Sequence, residues 1–297
     1  MDIPMDPGVL EKAGTLIEAL SYIQRFNEKV VVVKLGGSFM DNQAEFRKVL
    51  TDIVFMRAVG MKPIVVHGGG KAITQAMADA GLKAQFVMGR RYTDDRTLAI
   101  AEHVLINDIN TFIVATITSL GGRAMPLHSL GSAVLFGEKL FLPGEDGQRV
   151  DIGRVGQVTG VNADLLRALT QANFIPVIAP IALDSSGGKL NVNADTAAGY
   201  VAAAVSAEKM VLVSDTHGIR RNRDDAHSLV RSITRAEIQT LVSHGQIGEG
   251  MLPKVEACFI ALDGNVNKTH IIDGRFPHSL LLEIFSDMGV GTEIIRS

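Results

Sequence analysis

Residues 31 to 38 read VVVKLGGS: three valines, a lysine, then a leucine followed by backbone almost stripped of side chains. A lysine at the end of a buried strand has two uses. It can snorkel to water and end the strand, or its ammonium can meet an anion there. The glycines favour the second, because Gly36 and Gly37 offer bare N–H groups that an anion can approach without meeting a Cβ. The device recurs in PIVVHGGGKAI, residues 63 to 73, where Gly68, Gly69 and Gly70 follow an apolar run and precede a helical pattern. A helix N-terminus adds partial positive charge at that point. Either loop alone could be no more than a tight strand-to-helix turn. Two on one sheet, together with Lys34, point to a polyphosphate.

Other nucleotide and hydrolase motifs do not fit. A Walker loop requires G-x-x-x-x-G-K-[ST], whereas Gly70-Lys71 is followed by Ala72 and has Val65 in place of the first glycine. The first turn reads GGSFMD, so the dinucleotide fingerprint is missing, and neither H-E-x-x-H nor G-x-S-x-G occurs. Cys258 is the sole cysteine, which rules out an intrachain disulfide and a cysteine metal cage. No metal ligation by the chain is expected. Twenty-nine basic against 32 acidic residues, with no long basic run, leave no electrostatic footprint for nucleic acid. The start, MDIPMDPGVL, lacks the basic-then-apolar order of a signal peptide, and no uninterrupted apolar stretch approaches the roughly 20 residues that span a bilayer. These features predict a cytoplasmic chain that contacts neither membrane nor nucleic acid.

The elements that must carry the two loops follow from periodicity. β-Branched runs at 30–34, 62–67, 174–180, 209–215 and 268–273 alternate with longer stretches of helical spacing, which predicts an α/β fold with a mainly parallel sheet covered on both faces. Between 45 and 60, Phe46, Val49, Leu50, Ile53, Val54 and Met56 recur at helical intervals before Gly60, as in a crossover helix. From 121 to 160 the texture turns to glycine, proline and short alternating pieces, predicting an antiparallel excursion that faces a ligand. With 297 residues and 46% hydrophobic composition, the chain can form one large domain or two smaller ones, with a soft boundary near 180–194.

The segments VVVKLGGS, VVHGGG, GRRYTD, NVNADTAA, GMLPKV and HIIDGRFPHSLLLEIF…GVGTEI stand in the order and at about the separations found in acetylglutamate kinases, a branch of the amino acid kinase family. The resemblance runs from about residue 10 to the C-terminus. It implies a three-layer α/β sandwich with a central, mainly parallel sheet and an N-terminal helical extension. It also implies residues 1–28 as an oligomerisation and regulatory helix, 29–180 as the acceptor-binding lobe and 181–297 as the nucleotide-binding lobe. The implied reaction moves the γ-phosphoryl group of ATP, carried with Mg2+, to the γ-carboxylate of N-acetyl-L-glutamate. Phosphoryl transfer needs positioning, cations and N–H donors more than covalent help, which suits such a site. By resemblance, Lys34 and Lys254 flank the travelling phosphoryl group and Asp195 orients both ammonium groups. Alone, Asp195 would read as an ordinary residue at a helix N-terminus. Arg91 is placed on the substrate's α-carboxylate, with adjacent Arg90 as the alternative, and Asn191 on the same substrate. Gly68 and Gly69 face the reacting carboxylate, Gly36 and Gly37 the phosphates, and Ser214 and Asp215 the nucleotide.

Three stretches depart from the family pattern. Lys71 stands where relatives usually carry proline, and PLHSLGSAVLFGEKL and SDTHGIRRNRDD replace two familiar runs, leaving the adenine side open. The N-terminal stripe Leu10, Ala13, Ile17, Leu20 and Ile23 resembles the extension of arginine-inhibited members, whose helices interlace dimers into a hexamer. Tyr22, His270, Glu283, Gly289 and Gly291 match that group's L-arginine site, so feedback inhibition and a homo-oligomer, dimer or hexamer, are expected. Two other readings stay open at this point: a sister kinase acting on aminoadipate, aspartate or glutamate, and a catalytically silent arginine sensor.

Overall fold

β-Branched runs become strands here because both faces of the sheet they form are covered. The computed structural model describes residues 7–144, 147–222, 225–248, 250–286 and 289–296. Its first half comprises α1 (Pro7–Phe26), β1 (Val30–Leu35), α2 (Gln43–Ala58), β2 (Lys62–His67), α3 (Gly70–Asp79), the small hairpin β3 (Phe86–Val87) and β4 (Arg90–Arg91), α4 (Asp95–His103), α5 (Thr111–Ser119) and β5 (Ala124–Leu127). Next come β6 (Leu135–Pro143), β7 (Arg149–Val161), α6 (Ala163–Gln171), β8 (Ile175–Ile178), β9 (Ile181–Leu183), β10 (Lys189–Val192) and α7 (Ala194–Ala204). The chain continues through β11 (Lys209–Ser214), β12 (Ser232–Thr234), α8 (Arg235–Ser243), α9 (Leu252–Asp263), β13 (Lys268–Asp273), α10 (Ser279–Ile284) and β14 (Thr292–Ile295).

The main sheet runs β12-β14-β13-β11-β1-β2-β8-β5, parallel throughout except for the β13/β14 pair. The expected runs at 30–34, 62–67, 174–180, 209–215 and 268–273 all lie in it. In β1 the pleat sends alternate residues to opposite layers. Val31, Val33 and Leu35 join Phe46, Leu50, Ile113 and Leu280 on the side of α2, α5 and α10. Val32 joins Ala198, Val201 and Ala257 on the side of α7 and α9. Lys34 shares the parity of Val32, so strand geometry alone turns it towards α7 and α9.

One expectation needs correcting. The stretch 121–160 is not hairpin throughout: β5 is the outermost parallel strand, paired with β8 from Ala124↔Ile175 to Leu127↔Ile178. Pro126, which lacks an N–H, is tolerated because β5 has a neighbour on one side only. The antiparallel excursion is the β6/β7 hairpin, which with β9 and β10 closes a small four-stranded barrel. Helices α4 and α5 are joined by a π-helical turn, Val104–Asn110, giving a continuous run from Asp95 to Ser119. Among the described residues this is the one helix long and apolar enough to cross a membrane by length and composition, although Asp95, Arg96, Glu102 and Asp108 interrupt its apolar residues, so no uninterrupted apolar stretch of that size occurs. It buries Ala101, Val104, Leu105, Ile106, Ile113 and Ile117 in the chain's own core.

Helix α2 forms as expected, capped by the Asn42 side chain, which accepts from the Ala44 and Glu45 N–H groups. It also buries an acid. Asp52 is fully enclosed, its Oδ1 lies 2.6 Å from His278 Nδ1, and its Oδ2 has no hydrogen-bond partner. Burial pushes its pKa up to about 6, with the His278 contact opposing. The unfolded chain releases this proton near the ordinary value of 3.8 and the native chain near 6, so native Asp52 holds more proton across that window. Stability therefore falls as pH rises through it, by about 3 kcal/mol from this group. Asp52→Asn is expected to flatten the pH dependence of chemical unfolding between those values; an unchanged slope would assign the burden elsewhere.

Candidate active site

The turn after β1 explains its own glycines. A Cβ at Gly36 would overlap the Lys34 ammonium, so the bare backbone makes room for the lysine to fold over it. Gly37, at φ +110, presses on the Asp215 main chain, and Ser38 donates from both N–H and Oγ to Asp215 Oδ2 at 3.1 and 2.9 Å. Neighbouring parallel strands β1 and β11 thus tie their end-turns together.

Lys34 and Asp195 are both 6% exposed, and Lys34 Nζ lies 2.7 Å from Asp195 Oδ1. Lys254 Nζ approaches the other oxygen, Oδ2, at 3.7 Å. Asp195 stands in the first turn of α7, where the Asn193 side chain accepts from its N–H. Lys254 opens α9 beside Pro253. The two helices pack closely because Gly199 has no Cβ to strike the Ala257 carbonyl, from which such an atom would lie 2.6 Å. Two helix starts therefore converge on one sheet edge. Burial alone would raise the pKa of Asp195, but the two ammonium groups outweigh it and hold the carboxyl below its usual value. Asp195 is therefore a carboxylate at neutral pH.

Arg91 lines a cavity of about 250 Å3 together with Lys34, Asp195, Gly36, Gly37, Gly68, Gly69 and Asn191. Its Nη2 donates to the Gly70 carbonyl at 2.8 Å and to Thr74 Oγ1 at 2.7 Å, and its guanidinium lies 4.8 Å from the centre of the Phe86 ring. Arg90 lines the cavity too, but its Nη2 reaches across to Glu256 at 3.5 Å. Ser214 and Asp215 line a second cavity of about 480 Å3 with His217, Gln246, Lys254 and Arg275. Lys254 therefore faces that cavity while touching the aspartate that belongs to the first.

Sequence reasoning missed what holds these walls. Thr93 is fully buried, and its Oγ1 accepts from Asn191 Nδ2 at 3.2 Å and donates to the Arg91 carbonyl at 2.9 Å. Gly153 of β7, at φ +81, lets that strand dock on the Thr93 main chain, where a Cβ would clash. The hairpin thereby aligns Arg91 and Asn191. No local spacing links residues 93, 153 and 191.

A separate cavity of about 720 Å3 lies beside α1. Tyr22, His270, Glu283 and Gly289 line it, while Gly291 donates its N–H to Glu283 Oε2 at 2.9 Å. All five residues singled out there are thus brought together, more than one strand away from the lysine pair.

The profile of the amino acid kinase family matches residues 29–273. The chain belongs to the amino acid kinase family. Among the relatives of this amino acid kinase, acetylglutamate kinase of Heliobacterium modesticaldum is 46% identical over 291 residues, covering 97% of this chain and 99% of that one. Acetylglutamate kinase of Symbiobacterium thermophilum is 44% identical, covering 98% and 100%. The same fold appears in N-acetylglutamate synthase from Neisseria gonorrhoeae (TM-score 0.84, 22% identity, covering 96% of this chain and 63% of that one) and in Giardia carbamate kinase (0.64, 13%, covering 91% and 99%).

Proposed function

We propose that the chain transfers the γ-phosphoryl group of MgATP to the γ-carboxylate of N-acetyl-L-glutamate. The carrying observation is Asp195 held between Lys34 and Lys254, one on the acceptor cavity and one on the other. Support for the acceptor comes from the name shared by relatives at 42–46% identity over nearly the whole chain. An acceptor carboxylate oxygen bonds to the γ-phosphorus, the bond from that phosphorus to the β,γ-bridging oxygen breaks, and ADP leaves with the electron pair. Lys34 balances charge on the equatorial oxygens from the acceptor side and Lys254 from the nucleotide side; Asp195 fixes both. Arg91 clamps the α-carboxylate, since a planar guanidinium matches a carboxylate in two bonds. Asn191 bonds the same substrate, and Gly68 and Gly69 offer N–H groups to the reacting end. The donor set is cationic, and among the described residues no group of three or more His, Cys, Asp or Glu converges. Magnesium accordingly enters on the nucleotide's phosphates, where it neutralises their charge.

The test follows ADP release with N-acetylglutamate, glutamate, aspartate and N-acetyl-aminoadipate, each with and without L-arginine. Turnover with N-acetylglutamate above the other three is expected. Activity confined to unacetylated acceptors would overturn the assignment.

A second reading rests on the cavity beside α1. Its lining mixes carboxylates (Glu208, Glu283, Glu293) with cations (Arg25, Lys209, Arg231, Lys268), which suits a small zwitterion that presents groups of both signs. L-Arginine is the proposed effector, and lowered turnover in its presence is the expected result of the same assay. An effector of this kind acts by binding one arrangement of the chain more tightly than another. Leu10, Leu16, Ile17 and Leu20 of α1 are 55%, 68%, 70% and 46% exposed, and this apolar face supports a homo-oligomer, dimer or hexamer, joined through α1.

A further inference from the structure

His67 is fully buried at the end of β2, directly before the acceptor-side glycines, and the reaction above makes no use of it. Its Nδ1 lies 3.1 Å from the Gly68 carbonyl oxygen, which can only accept. Nδ1 must therefore carry the proton, leaving Nε2 as an acceptor. Asn110, equally buried, meets that need: its Nδ2 lies 3.1 Å from His67 Nε2 and 2.9 Å from the Val177 carbonyl. The Val177 oxygen is again purely an acceptor, so it fixes which way round the amide sits. Four groups drawn from β2, the second glycine loop, the π-helical turn and β8 thus agree on one proton arrangement.

Asn110 is the last residue of the π-helical turn, and the same turn sets Leu105 and Ile109 against Gly69. A Cβ on Gly69 would lie 2.8 Å from Leu105 Cδ2 and 2.6 Å from Ile109 Cδ1. Gly68 is tied from the other side, its N–H donating to the Leu35 carbonyl at 2.7 Å, one residue beyond Lys34. The peptide from Gly68 to Gly69 is trans, so a carbonyl held by the imidazole turns the Gly69 N–H away from the ring. Burial pushes the His67 pKa down to about 4, and Lys34 nearby adds to the effect, so the ring stays neutral.

We infer that His67 and Asn110 form a neutral positioning clamp that sets the Gly68–Gly69 peptide, and with it the Gly69 N–H donor, for the reacting acceptor carboxylate. The inference rests on the acceptor-side reading of that loop. The π-helical turn then has a use: widening the helix by one residue brings an amide and two branched side chains onto the loop together.

The experiment has a kinetic and a spectroscopic arm. His67→Phe keeps a ring but removes both nitrogens, whereas His67→Asn places an amide N–H where Nδ1–H stood. His67→Phe is expected to lower kcat about a hundred-fold, the cost of misplacing a reacting group by about an ångström, with the KM for MgATP nearly unchanged. His67→Asn is expected to restore most of that loss, and Asn110→Leu to reproduce part of it. In the wild-type protein, imidazole 15N spectra are expected to show the proton on Nδ1 and no titration at neutral pH. A folded His67→Phe protein with wild-type kcat, or a proton on Nε2, would overturn the clamp. The spectrum needs no acceptor, so a protein with the Nδ1 proton that failed on N-acetylglutamate would overturn the acceptor assignment alone.

Discussion

Lys34→Met is expected to lower kcat by roughly a hundred- to a thousand-fold, the scale of losing one preorganised donor to a transition-state oxygen. Methionine nearly matches the length of lysine without its charge, so the strand end and the Gly36 contact survive. The loss lies in two places. The travelling phosphoryl group loses the cation on its acceptor side, and Asp195 keeps only Lys254, whose ammonium is 3.7 Å away against 2.7 Å for the one removed. With the stronger partner gone, burial regains ground and the Asp195 pKa rises. Steady-state kinetics at saturating MgATP and acceptor measure the effect, and circular dichroism checks that the fold persists. A variant retaining more than about a third of wild-type kcat would remove Lys34 from the chemistry.

Glu283→Ala carries the largest expected effect on stability, about 3 to 5 kcal/mol, because it breaks a buried charged network by removing its centre. The Glu283 carboxylate accepts from His270 Nδ1 at 2.7 Å, Val290 N–H at 2.6 Å and Gly291 N–H at 2.9 Å. Burial raises its pKa, while the bond to His270, the charge of that ring and the two backbone donors lower it further than burial lifts it. Alanine would leave two buried donors and one half-buried donor without this partner. Gly289, at φ +58, lies so near the carboxylate that a Cβ there would stand 2.7 Å from Oε2, so Gly289, Val290 and Gly291, just before β14, are wrapped around this one side chain. Denaturant unfolding with and without the substitution measures the loss, and a difference below about 1 kcal/mol would show that the network is replaceable. Because Glu283 also lines the cavity beside α1, the same variant is expected to be insensitive to L-arginine.

The sequence carried the parts of this molecule whose signals are local. Five β-branched runs announced five of the six inner strands, and the lysine followed by two glycines announced a strand end built for an anion. The convergence of Lys34 with Lys254 was different in kind. It depends on β1 lying between β11 and β2 and on Lys34 sharing the pleat parity of Val32, and neither is written in a spacing of 220 residues. β5 lies in the stretch whose glycine and proline texture suits hairpins, and only its edge position makes Pro126 harmless in a parallel strand. β9, β10, β12 and β14, at three or four residues each, are too short for a period of two to declare itself. Thr93, Gly153, His67 and Asn110 lay hidden for a related reason. Their value is in partners 43 to 98 residues away, and each looks ordinary in its own window.

Asp195 has a consequence for the interval between turnovers. A buried ammonium group and a half-buried one, left alone, would repel each other or hold a stray chloride that the next nucleotide must displace. A resident carboxylate at their midpoint acts as a built-in counter-ion, leaving a net single positive charge when product departs. The cleft can therefore stay primed without borrowing an anion from solution.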